Sequence, residues 1–144
     1  MTSRLPPSPP PTTETTRLAM QANRSRDTTV EVALRRALHA RGLRYRKHRR
    51  PIAELRCEPD VVFPGEKVAV FVDGCWWHGC PEHWAPPRAN RDWWIRKMEI
   101  NVARDRRNDA ALADAGWFVV RVWEHEDTDA ASERVAILVR QRRS

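Results

Sequence analysis

Two aspartates and a histidine are the first residues in this chain whose types and spacing could do chemistry. Asp60 opens the apolar run DVVF, Asp73 closes the run VAVFVD, and His78 follows five residues later. If the two runs are neighbouring strands, their ends bring both carboxylates to one edge. Hard divalent cations such as Mg²⁺ take oxygen ligands of this kind, completed by a backbone carbonyl and water. A cation so held polarises a phosphodiester and lowers the pKa of an attacking water. Either aspartate alone would more often be a turn residue, at a Pro-Asp or Asp-Gly corner. The pair, with His78 close behind, favours the metal edge.

A second cluster is softer. Cys75, Cys80 and His83 fall within nine residues, and His125 lies just past a later apolar run. Thiolates and imidazoles suit tetrahedral zinc, and four such ligands close a structural site. Glu124, Glu82 and Asp127 are alternatives to His125 as the fourth ligand. Between these clusters stand Trp76 and Trp77. Adjacent aromatics on a loop beside a catalytic edge could wedge into a base stack, although one of them is expected to pack beneath the loop instead.

The elements that must position these groups are legible from periodicity. Thr28 and Glu31 have capping-box spacing, and Val30, Ala33, Leu34, Ala37 and Leu38 repeat at helical intervals up to Gly42. Asp60–Phe63, the turn Pro64-Gly65-Glu66 and Lys67–Val72 read as strand, turn, strand. The second of these strands is apolar throughout, as expected when both faces are covered. A helix is predicted over residues 91–115 and ends at Gly116. A largely buried strand over 117–123 follows, and a short amphipathic helix over 130–140 closes the chain. The order predicts an α/β domain with a small mixed sheet.

Composition sets the outer bounds. The 144 residues suffice for one domain, and 26 Lys/Arg against 19 Asp/Glu give a net charge of +7. That balance favours a polyanionic partner. Six of the cations lie in Arg41–Arg50, as a solvated basic strand or a phosphate clamp. Seven tryptophans, several beside cations, suit base stacking better than a core that must satisfy every indole N–H. Residues 1–22 hold five of the eleven prolines and are expected to be a disordered tail before a domain spanning 23–144. The longest apolar run, Val68–Val72, could not span a bilayer. The N-terminus lacks the apolar core of a secretory signal, so a cytoplasmic location is expected. Three cysteines in such a chain favour thiols or metal ligands over disulfides.

Taken together, PDVVFP, VAVFVDGCWWHGCPEHW and DWWIRKMEINVARDRRNDAALADAGWFVVRVWEHE resemble the very short patch repair (Vsr) endonucleases, from about Met20 to His125. The resemblance implies a restriction-endonuclease-like three-layer core and a Mg²⁺-dependent nick beside the T of a T:G mismatch, the product of 5-methylcytosine deamination in duplex DNA. It implies that Asp60 and the main-chain carbonyl of Val72 hold the metal. Glu31 would orient metal-bound water, and His78 would act as general acid/base or phosphate contact. Cys75, Cys80, His83 and His125 match zinc-ligand positions. Trp76, Trp77 and Trp94 match inserting aromatics, and Arg24 and Arg26 are expected DNA contacts. A monomer on nucleoid DNA is implied, with accessory mismatch-repair proteins as further partners. The chain departs from the pattern at Asp73, where some members carry a catalytic histidine; here Asp73 could become a second Mg²⁺ ligand. The lysine of the wider restriction-enzyme motif is replaced by Cys75, leaving Lys67 or Lys97 to compensate. Two other readings stand beside this one: a restriction-type nuclease of the same fold cutting matched DNA, and a non-catalytic zinc-stabilised DNA-binding module.

Overall fold

The computed structural model describes residues 28–75 and 78–143. The expected tail, Arg24, Arg26, Trp76 and Trp77 lie outside them. Helix α1 (Thr29–Ala40) starts where the capping signal placed it, with the Thr28 side chain accepting from the Glu31 N–H at 3.3 Å. It stops at Gly42, whose φ of +80° is a conformation that a side chain would strain. Strands β1 (Val61–Phe63) and β2 (Val68–Asp73) form the expected antiparallel hairpin, with Val61 opposite Val70. Helix α2 (Arg91–Asp114) then crosses over to β3 (Phe118–Trp123), which pairs parallel to β2 from Val68↔Phe118 to Asp73↔Trp123. Helix α3 (Thr128–Arg143) ends the described chain.

The sheet order is β1-β2-β3, and its two faces are covered differently. Because side chains alternate across a strand, Val68 and Val70 of β2 join Val120 and Val122 of β3 on one face. There they pack with Leu34 and Leu38 of α1 and Val135 and Val139 of α3. Ala69 points to the other face, against Leu112 of α2 and Cys57, with Phe71 and Val119 beside them. Each Leu, Val or Phe so buried contributes about 1.5–3 kcal/mol. The result is a mixed sheet between an α1/α3 layer and an α2 layer, an α/β arrangement as anticipated.

Two expectations need correction. Strand β3 is not largely buried: Phe118 is 48% exposed while Val120 and Val122 are covered. Among the described residues β3 is an edge strand of the sheet, and the Arg134 guanidinium donates to its Arg121 carbonyl at 3.2 Å. The last helix begins two residues before its predicted start, because the Asp127 carboxylate caps it by accepting from the Ala130 N–H at 2.9 Å.

Candidate active site

The hairpin register builds the site. With Val61 opposite Val70, Asp60 lies beside the last residues of β2, and its Oδ2 accepts from the Val72 N–H at 2.6 Å. Asp73 ends β2, and Glu31 reaches in from the first turn of α1, only 7% exposed. These groups line a cavity of about 280 Å³ together with Glu58, Glu124 and His78. Burial pushes the Asp60 carboxyl up to about 7, and the neighbouring Glu31 and Asp73 charges push the same way; the Val72 N–H and Arg35 pull against them. An oxygen-rich cavity whose central carboxyl resists ionisation fits a divalent cation, since the cation removes the reason for the resistance.

Beyond Asp60 lies a network of charges. Arg121 of β3 donates from Nη1 to both oxygens of Asp73, at 3.0 and 3.1 Å. Its Nε and Nη2 bind Asp109 of α2, the shortest contact being 2.7 Å, and its guanidinium rests 4.2 Å over the Phe71 ring. His78 bonds through Nδ1 to Asp105 at 2.6 Å and stands 3.8 Å from Asp73. Burial opposes a charged imidazole, but the Asp105 hydrogen bond and the two carboxylate charges outweigh it and hold His78 above its ordinary value. Asp105 is held below the usual carboxylate range: its own burial works against this, and the His78 contact prevails. Although Asp73, His78 and Asp105 converge closely enough to chelate an ion, Arg121 already supplies the positive charge there. Asp73 therefore shares a cavity with Asp60 while both its oxygens are engaged by a guanidinium.

The soft cluster converges as well. One ligand atom from each of Cys75, Cys80, His83 and His125 lies within 4.8 Å of the others. The sulfur-to-Nδ1 distances are 3.1 and 3.9 Å from Cys75, and 3.5 and 3.7 Å from Cys80. Zn–S and Zn–N bonds of about 2.3 and 2.0 Å at a tetrahedral angle require edges of about 3.5 Å. His125 turns Nε2 toward Glu82 at 3.4 Å, the carboxylate–imidazole arrangement that fixes a metal-binding tautomer. The donor set thus fits zinc. Asp127, Glu82 and Glu124 are each engaged elsewhere: Asp127 caps α3, Glu82 faces His125, and Glu124 accepts from the Cys75 N–H at 3.0 Å. The Glu124 N–H in turn donates to the Asp73 carbonyl at 2.9 Å. Soft cluster and acidic cavity therefore share a seam.

The family model described as DNA mismatch endonuclease Vsr matches residues 11–85. The type II nicking enzyme V.NaeI of Lentzea aerocolonigenes is 49% identical over 114 residues, covering 78% of this chain and 69% of that protein. The chain belongs to the Vsr family of DNA endonucleases. Another relative, the type II nicking enzyme V.XorIIP of Xanthomonas oryzae, is 43% identical over 90% of this chain and 89% of its own. The DNA mismatch endonuclease Vsr of Escherichia coli is 35% identical over 73% of this chain and 66% of its own. As a Vsr-family hydrolase acting on DNA, the chain is an enzyme, which sets aside the non-catalytic binding module. No helix among the described residues is long and apolar enough to cross a membrane.

Within this family member, one expected DNA contact is placed differently from a projecting wedge. Trp94 is 9% exposed on α2 and packs edge-on against Trp93, ring centroids 4.8 Å apart. To enter a base stack it would have to leave that packing. Neither Lys67 nor Lys97 lines the cavity; Lys67 precedes β2, at the end opposite Asp73. The cation at this edge is Arg121, which the sequence reading missed together with Asp105 and Asp109. A signal existed for the arginine: one charge inside the run FVVRVW needs a buried partner. The two aspartates, four residues apart among arginines, look like a solvated helix face.

Proposed function

We propose that this Vsr-family endonuclease nicks one strand of duplex DNA next to the T of a T:G mismatch, as in repair of deaminated 5-methylcytosine. The observation that carries the reading is that Asp60, Glu31 and His78 line one small cavity, with His78 bonded to Asp105. Asp60 and the Val72 carbonyl would hold Mg²⁺, with Asp73 able to join only by giving up Arg121. Bound there, the ion would polarise the phosphodiester and lower the pKa of a water. Glu31, at the cavity wall, orients the attacking water. In hydrolysis the water oxygen forms a new P–O bond and gives its proton to solvent as the P–O bond to the leaving oxygen breaks, and that leaving oxygen needs a proton. His78 supplies it from Nε2, because Asp105 occupies Nδ1 and sustains the charged form. Zn²⁺ in the Cys75, Cys80, His83, His125 cluster braces the loop that carries His78. Trp76 and Trp77, between the zinc ligand Cys75 and His78 in sequence, probe the mismatch. The three layers are read as a reduced restriction-endonuclease-like core, acting as a monomer on nucleoid DNA alongside accessory mismatch-repair proteins.

The test is Mg²⁺-dependent nicking of a duplex with one T:G pair beside its matched counterpart, in randomised flanking sequence. Cleavage confined to the mismatched duplex is expected. Equal cleavage of both would replace this reading with a restriction-type nuclease of the same fold, and an Asp60→Ala variant that still cuts would reject the site.

A further inference from the structure

Asp73 is the residue whose place in this site the cavity alone does not settle, and Arg121 decides it. The guanidinium is fixed on three sides: by its strand in register with Phe71, by the Phe71 ring beneath it, and by Asp109 of α2. Its remaining amino group grips both Asp73 oxygens, and Asp73 is only 3% exposed. A planar fork held this rigidly presents a fixed geometry that an ammonium would not. The Asp73 so gripped stands 3.8 Å from the His78 Nδ1, on the same ring nitrogen that Asp105 binds at 2.6 Å.

From this geometry we infer that Arg121 is a positioning residue, one that commits Asp73 to the His78–Asp105 pair and withholds it from the cation site at Asp60. The inference rests on the proposed reading of the Asp60 edge. Its consequence is opposite to that of ordinary structural damage. Releasing Asp73 adds a carboxylate to the cation site, so the metal binds more tightly while His78 loses its alignment and the chemical step slows.

Calorimetric titration of Mn²⁺ into zinc-loaded protein without DNA, alongside single-turnover nicking of a T:G duplex, tests it. Arg121→Met is expected to bind Mn²⁺ about tenfold tighter and to nick about 10²-fold more slowly. In Asp73→Asn/Arg121→Met the gain in affinity disappears, because no carboxylate remains to be released. Asp109→Asn, at a half-exposed site, shows the same pair of effects at smaller size and carries the test if Arg121→Met does not fold. Weaker or unchanged Mn²⁺ binding in the folded variant, or a gain that survives in the double variant, overturns the inference. Asp60→Ala separates the two levels: if it still binds Mn²⁺ and nicks, the cation site itself has been misassigned. If it does neither while Arg121→Met fails to tighten binding, only the role of Arg121 is wrong.

Discussion

Replacing Asp60 by Asn should remove activity and at the same time make the magnesium-free protein more stable. The Asp60 carboxyl rises from 3.8 to about 7 in the folded chain because it is buried beside Glu31 and Asp73. At about 1.36 kcal/mol per unit, ionising it in the fold costs about 4 kcal/mol. The mouth of the cavity admits water, which reduces this to about 2–4 kcal/mol. Since the folded value is raised, the stability linked to Asp60 is fully present below 3.8, declines as pH rises, and is lost above about 7. Asparagine keeps an oxygen for the Val72 N–H and carries no charge. In zinc-loaded, magnesium-free protein at about pH 8, Asp60→Asn should therefore melt about 6–15 °C higher than wild type. At about pH 5.5 the gap should be about half as large. Adding Mg²⁺ should stabilise the wild type and leave the variant unmoved. Differential scanning calorimetry at the two pH values reads all of this. A variant less stable than wild type at the higher pH, or a gap insensitive to pH, would refute the claim that burial and neighbouring carboxylates strain Asp60.

Three further outcomes are expected. Asp105→Asn should slow single-turnover nicking about 10²-fold while leaving DNA affinity unchanged in a binding titration, because it removes the hydrogen-bonded support of the His78 charge. Protein purified without added metal should carry about one equivalent of zinc by elemental analysis; Cys80→Ser or His125→Ala should bring it below about half and lower Tm. Trp76→Ala combined with Trp77→Ala should reduce the preference for T:G over matched duplex about tenfold, measured as a ratio of nicking rates, with the Mg²⁺ requirement retained.

The element order was legible because each segment announces its period. The Thr28 cap, the Gly42 and Gly116 stops and the two valine-rich runs all lie where the chain folds. The cavity at Asp60 could be anticipated because hairpin pairing alone brings strand ends together. The cysteines and histidines were legible through spacing, and His125 converges with Cys75, Cys80 and His83 while Asp127 and Glu124 accept hydrogen bonds elsewhere. The charge network was not legible. Asp105 and Asp109 acquire meaning only when α2 lies across the sheet, a placement set by Leu112 and its contacts rather than by any local signal. The burial of Trp94 escaped for the same reason: an indole in a charged stretch reads as a surface group until the helix is turned.

The seam between the soft cluster and the acidic cavity bears on how this enzyme responds to chelators. Asp73, Glu124 and Cys75 are joined across the ends of β2 and β3: the Glu124 N–H donates to the Asp73 carbonyl, and the Glu124 carboxylate accepts from the Cys75 N–H. With zinc in the cluster, a chelator silences the enzyme by two routes of different permanence. If the Asp60 edge holds Mg²⁺ as proposed, withdrawal of that ion would reverse as soon as Mg²⁺ is returned. Slow loss of zinc would also loosen the ends of β2 and β3, and Mg²⁺ would then restore nothing. Activity recovered after brief chelation but not after prolonged chelation is the behaviour expected if both sites are occupied, and an enzyme stored in chelating buffer would then lose its competence by the second route.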